Sequence, residues 1–196
     1  MNINLLKNIL SVIGAVAIVT ILVVFLKFGD MISKVGSLDD KAIPTYMAMF
    51  DKVLNTGDAA KGMVLKYKVN DDVESEDVIE SIKALAEEYN MRVTGDTKMF
   101  TIDGAKGTEI YKVRNVSMCS LSIAKKFLAH SHEFGGFMPC RIMLIELGNG
   151  TRYLYTMDLS LAIYGGKPLP AEMLELALKV KTAMLDIPAR AAEGDF

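Results

Sequence analysis

A chain of 196 residues that is 51% hydrophobic, with 22 basic against 24 acidic side chains, is long enough for one folded domain with an attachment and too apolar to be disordered. The first 36 residues hold three lysines and one aspartate, so the remainder is mildly acidic, with 19 basic residues against 23 acidic. No basic stripe interleaves with aromatics, which excludes the phosphate neutralisation that nucleic-acid binding needs, and no nucleic-acid partner is expected.

The chain opens on its clearest feature. Between Lys7 and Lys27 lie 19 uncharged residues, NILSVIGAVAIVTILVVFL. At about 1.5 Å per residue such a helix spans roughly the hydrocarbon core of a bilayer. It has no polar face, and Asn8, Ser11 and Thr20 are its only polar interruptions. A cleavable signal peptide has a shorter apolar region followed by a small-residue cleavage site. Here the one Ala-x-Ala, Ala15 to Ala17, falls inside the span, and Lys27-Phe28-Gly29-Asp30 follows it. The expectation is an uncleaved single-pass anchor contacting membrane lipid. Ser11, Gly14, Ala15 and Ala17 place small residues at spacings that let helices approach closely in lipid. Lys7 before the span and Lys27 and Lys34 after it favour a cytoplasmic C-terminal side by one charge. The short segment before the span favours export instead. The expected location is the inner (cytoplasmic) membrane, with the C-terminal domain in the periplasm.

Ser37 to Asp58 reads as a helical connector. Pro44 suits a first helical turn, and Tyr46, Met49, Phe50 and Val53 form an i, i+3, i+4, i+7 stripe. GMVLKYKVN, residues 62–70, alternates like a half-exposed strand. A helix follows Ser75 and runs to about Asn90, with Val78, Ile79, Ile82, Leu85, Ala86 and Tyr89 apolar and Glu76 and Asp77 favouring its start. MRVTG, TKMFTIDG and EIYKVRNVSMC are strand-like runs separated by glycines. Ser120 suits a helix cap ahead of Leu121 to Ala129. CRIMLIEL and TRYLYTMD flank Gly148-Asn149-Gly150 as a hairpin. LSLAIYGG is a short helical turn. Pro170 opens the last helix, and Pro188 is expected to stop it and leave a frayed tail.

Four segments result: a transmembrane anchor (1–35), a helical connector (36–58), an α+β domain (59–187) and a flexible tail (188–196). The domain is expected to pack its helices on one face of a mainly antiparallel sheet. Thirteen methionines and no tryptophan suit an adaptable core or contact surface more than chemistry.

Both cysteines and both histidines lie between Met118 and Ile142. Cys119 ends one predicted strand and Cys140 begins the next, so three readings stay open. They are two buried thiols, a Cys119–Cys140 disulfide in an oxidising compartment, or a reactive or metal-binding pair. With His130 and His132 the cysteines form a two-sulfur, two-nitrogen set of the kind that suits zinc or copper, though without the spacing of a zinc motif. On a helix, residues two apart diverge by about 200°, so the histidines share a metal only in a loop. Arg141 would lower the Cys140 pKa only from the same face, and adjacent strand residues point to opposite faces. Gly135-Gly136 and Gly165-Gly166-Lys167 lack the following helix start of a phosphate cradle. No Ser-His-Asp order, HExxH or paired-carboxylate pattern is present, and no cofactor is assigned.

YKVRNVSMC entering SLSIAKKFL, then GGFMPCRIMLIEL and GNGTRYLYTMD, resemble the bacterial and archaeal "domain of unknown function 302" family. The Met138-Pro139-Cys140-Arg141-Ile142 run is the most specific part. The resemblance covers roughly residues 60–187. It implies a compact, often self-associating α+β fold with a β-α-β-sheet-α plan, and no established reaction. Ser120-Leu121-Ser122 stand where family members often have a proline, and the membrane anchor is an addition to the bare domain. The functional expectation is a membrane-anchored, non-enzymatic accessory or binding module. It would attach to itself or to a larger membrane assembly, such as a respiratory complex. The alternative is a metal- or thiol-redox-handling protein using Cys119, His130, His132 and Cys140.

Overall fold

The structure is a computed structural model that describes residues 3–195; the outermost ends of the predicted anchor and tail, residues 1–2 and 196, lie outside them. Helix α1 (Ile3–Val35) contains an apolar window, Lys7–Met31, none of which is buried, so it is long and apolar enough to cross a membrane. Ser11, Gly14, Ala15 and Ala17 all lie on it, and a Cβ at Gly14 would meet nothing within 4 Å.

Helix α2 (Ala42–Thr56) follows with Pro44 in its first turn, as predicted. Helix α3 (Ala59–Met63) is capped by Asp58, whose carboxylate accepts from the Ala60 amide, and takes the place predicted for the start of the first strand. The α+β domain then runs through β1 (Val64–Lys68), α4 (Ser75–Glu88), β2 (Arg92–Thr101), β3 (Ile110–Cys119) and α5 (Leu121–His130). A 3-10 turn (His132–Phe137), β4 (Cys140–Leu147), β5 (Arg152–Met157), α6 (Ser160–Tyr164) and α7 (Ala171–Glu193) complete it. The strands form one antiparallel sheet in the order β1-β5-β4-β3-β2, so the connection through α4 crosses the whole sheet.

Side-chain alternation makes this sheet two-faced. Val116, Met118, Ile142, Leu144 and Leu154 point to one face and are buried under α4 and α7. The predicted stripe of α4 supplies Val78, Ile79, Ile82, Leu85 and Ala86, and α7 supplies Ala183, Met184 and Ile187. Each large side chain buried there contributes about 1.5–3 kcal/mol. The opposite face carries Met143, Tyr153, Tyr155 and Met157, which are only half-buried. Lys66 Nζ stands 3.7 Å above the Tyr153 ring there. A second apolar cluster joins α5, the 3-10 turn, α6 and the start of α7 around Phe127, Ile163, Tyr164 and Ala177.

Charge fastens α4 across the β2–β3 edge. Arg114 donates from Nε and Nη2 to the two Asp96 carboxylate oxygens at 2.7 and 2.8 Å, and from Nη1 to Glu76. Lys83 Nζ lies 2.6 Å from the same Asp96. Glu76 and Lys83 stand seven residues apart on α4 and so share a face.

Three expectations are corrected. Pro188 does not stop the last helix, and residues 188–193 are not a frayed tail: α7 continues to Glu193 with Pro188, Ala191 and Ala192 buried. The Ala192 carbonyl accepts from the Asn70 amide, and Gly194 closes the helix at φ 80°. Burial of this last stretch outweighs the roughly 3 kcal/mol penalty of an interior proline. MRVTG and TKMFTIDG are one strand, β2, interrupted by irregularities at Val93/Gly95 and Lys98/Phe100. Ser120 precedes α5 but its hydroxyl makes no capping bond.

The β4–β5 hairpin turns at Gly148-Asn149-Gly150, with Gly150 at φ 83°, as the turn chemistry predicts. Its tip is fastened to the β2–β3 loop: the Gly148 amide donates to Glu109 and the Asn149 amide to Gly107. A Cβ on Gly148 would sit 2.5 Å from the Ala105 carbonyl and the Lys106 nitrogen. Backbone on both sides leaves little room to give. Gly148→Ala is expected to cost about 1–3 kcal/mol of stability, read as a lower urea midpoint at unchanged slope. An unchanged midpoint would show that the two loops are not in contact.

Candidate functional site

Antiparallel pairing brings the two cysteines next to each other but turns them apart. Met118 pairs with Cys140, and Cys119 pairs with Arg92 on the other side of β3. Paired residues share a face and neighbours alternate, so Cys140 points with Met118 toward the helices and Cys119 points away. Both are free thiols. Cys140 packs at the margin of the main core and lines a small apolar cavity of about 70 Å³ with Phe127, Phe134 and Leu159. Its neighbour Arg141 is exposed on the other face, as the alternation predicts.

Burial pushes the Cys119 thiol up. Burial, and then the nearby Cys119, push Cys140 up to about 11. A thiol so placed is a weak nucleophile at neutral pH. His130 is in the last turn of α5, and its ring lies 6.4 Å from that of Phe134. His132 begins the 3-10 turn and is exposed. Among the described residues no group of three or more His, Cys, Asp or Glu side chains converges in a metal-binding arrangement. The segment that concentrates these four residues builds the second apolar cluster.

At pH 7.5 a maleimide is therefore expected to modify Cys119 at least about tenfold faster than Cys140 in the folded protein, with both reacting rapidly in guanidinium. Peptide mass spectrometry over a time course measures this. Equal rates in the folded protein would show that Cys140 is open to solvent.

A larger concave site lies elsewhere. A groove of about 490 Å³ runs between α2, α3, α6 and the end of β5. Its position follows from how α2 docks. The Tyr46 hydroxyl donates to the Gly165 carbonyl at 2.9 Å, and the Asp39 amide donates to Gly166. At the other end α2 meets α3 closely: a Cβ on Gly62 would come within 2.7 Å of Val53 Cγ2 and 3.2 Å of the Met49 carbonyl. Met49 and Val53, from the predicted connector stripe, face this contact, whereas Tyr46 and Phe50 remain exposed.

The groove is mostly apolar, with Met49, Met63, Met157 and Leu161 in its walls. Polar groups gather at one side. Ser160 Oγ hydrogen-bonds Asp158 Oδ1 at 2.5 Å and accepts from Lys181 Nζ at 2.9 Å. Burial raises the Asp158 pKa, but bonds from the Ser160 hydroxyl and amide, with the Lys181 and Lys52 charges, outweigh it and hold the carboxyl below its ordinary value. Lys41 and Lys181 stand 4.9 and 5.4 Å from the centroid of the same Tyr164 ring. Nothing in the local sequence announces this site, because its walls are drawn from two separate stretches of chain, residues 41–63 and 137–181.

The family model described as "Domain of unknown function DUF302" matches residues 65–187. No curated protein matches the chain. A solved structure described as "Crystal structure of uncharacterized conserved protein DUF302 from Bacillus stearothermophilus" is 12% identical, covers 64% of this chain and 94% of that one, and gives a TM-score of 0.48. The family model takes in β1 through most of α7, which is more than half of the chain, and the chain belongs to the DUF302 family.

Proposed function

We propose that this protein is a membrane-anchored, non-enzymatic binding module of the inner membrane that attaches to a second copy of itself or to the subunits of a larger membrane assembly, a respiratory complex being one such case. The observation that carries this reading is on α2. Ile43, Met47, Phe50 and Leu54 are 48%, 58%, 51% and 66% exposed. Their 4-3-4 spacing places them along one helix face. A single exposed apolar residue is unremarkable, but a contiguous row of four is a contact surface. The row begins shortly after α1 ends at Val35, so it is held close to whatever the bilayer also holds. The half-open sheet face with Met143, Tyr155 and Met157 offers a second contact area. The same reading puts the domain on the periplasmic side, against a bias of one lysine across the span.

Native-detergent capture of the full-length chain tests the reading. The wild type is expected to bring down a defined membrane complex or a discrete homo-oligomer, and Phe50→Asp/Leu54→Asp is expected to lose it while staying in the membrane fraction. A wild-type chain that elutes as a bare monomer overturns the proposal. Labelling Cys119 in intact cells with a membrane-impermeant thiol reagent tests the sidedness, and labelling only after lysis would place the domain in the cytoplasm.

A further inference from the structure

We infer that the groove between α2 and the α+β domain is a binding site for a single-chain anionic amphiphile, a long-chain fatty acid. This goes beyond the partner-binding reading and stands without it.

Three features of the groove point to that ligand. Its volume, about 490 Å³, lies in the range of roughly 300–1,000 Å³ of small-molecule sites. Its walls are methionine, leucine and alanine side chains with two aromatic residues, Phe137 from the 3-10 turn and Tyr164 from α6. Unbranched, polarizable methionines adapt to a flexible chain. A fatty acid presents one such chain, whereas a two-chain lipid must place the second outside.

The second feature is charge. Lys41, Lys52 and Lys181 border the groove against one carboxylate, Asp158. Among the described residues, none of the three lysines lies within ion-pair distance of a carboxylate. The site therefore carries a net positive charge not neutralised by its own ion pairs. Lys181 is also held in place, by Ser160 Oγ and by the Tyr164 ring. A carboxylate head set between these ammonium groups makes charge-assisted hydrogen bonds while its chain lies on the apolar wall.

The third feature is where the walls come from. One wall is α2, which follows α1 after six intervening residues; the other belongs to the domain. The ligand would bridge the two.

The test uses the full-length chain in lipid nanodiscs and a palmitic acid bearing a diazirine in its chain, with cross-links mapped by peptide mass spectrometry. Labelling is expected on peptides carrying Met49, Met63 or Met157 to Leu161. Excess palmitate is expected to suppress it at least about fivefold, and methyl palmitate, which lacks the charge, to leave it within about twofold. Lys52→Gln/Lys181→Gln is expected to lower labelling by about tenfold, and Leu161→Trp, which fills the groove, to abolish it. Labelling confined to α1, or equal competition by the methyl ester, overturns the proposal. Both of these outcomes are read on the wild type, so the test holds even where a variant fails to fold. Failure to capture a protein partner, which would overturn the accessory reading, leaves these expectations unchanged.

Discussion

After a carbonate wash, the full-length chain is expected to stay with the membrane, and a chain lacking residues 8–26 is expected to remain in solution. The removed stretch is 19 uncharged residues on a helix with no buried side of its own. A core helix of a soluble protein would be covered by the rest of the fold, and the window on α1 is not covered at all. The energetics can be graded with substitutions. Val16→Asp/Val19→Asp sets two carboxylates near the middle of the span. At about 2.5–3.5 kcal/mol for each acidic residue at the helix centre, the pair costs about 5–7 kcal/mol, a shift of roughly four to five orders of magnitude in partitioning. The variant is expected to lose stable insertion. Intact-mass measurement of the membrane fraction distinguishes an anchor from a leader. A mature chain beginning after Leu26 would show that α1 is removed, and with it the proposed tether.

What could be read in the sequence was local. Residues 8–26 announce themselves by lacking any polar face, and the hairpin by a Gly-Asn-Gly between two alternating runs. The α4 stripe is legible because every third or fourth residue from Val78 to Ala86 is apolar, and those side chains are the ones buried. The misreadings come from contacts that local rules do not contain. Pro188 carries a strong local stop signal, yet Ala191 and Ala192 are buried beyond it and Asn70, 122 residues upstream of Ala192, bonds the helix end. Helix α3 and the 3-10 turn are too short to show a period. The four Cys and His residues drew attention by type, while register sets where the cysteines point: Cys140 faces the core because it pairs with Met118. The groove was invisible for the same reason. Lys41, Lys52, Asp158 and Lys181 are solvated charges in sequence and become one site only when α2 docks on α6.

Asp96→Asn is expected to cost about 2–3 kcal/mol at pH 7, lowering Tm by about 6–12 °C. Arg114 is 9% exposed and Asp96 21% exposed at the side chain, and they meet through two parallel hydrogen bonds. Breaking a buried pair costs about 3–5 kcal/mol because the remaining charge stays desolvated. Here the cost is smaller, because Glu76 still holds Arg114 and solvent reaches Asp96. The pH dependence identifies the mechanism. The Arg114 guanidinium, aided by Lys83, holds the Asp96 carboxyl well below the usual carboxylate range despite its partial burial. Between the folded and unfolded pKa values the unfolded chain binds more protons, so stability falls as pH falls through that window. The advantage of wild type over Asp96→Asn is therefore full above the ordinary aspartate value of 3.8 and shrinks as acid is added below it. Urea melts of both proteins between pH 7 and 3 are expected to show a constant gap down to about pH 5 and a narrowing one beneath. Because Glu76 survives in the variant and its pKa is lowered first by the Arg114 hydrogen bond, Asp96→Asn retains some acid sensitivity of its own. A gap that holds constant to pH 3 would mean that Asp96 contributes shape and not charge, and that the β2–β3 edge is not fastened to α4 through this carboxylate.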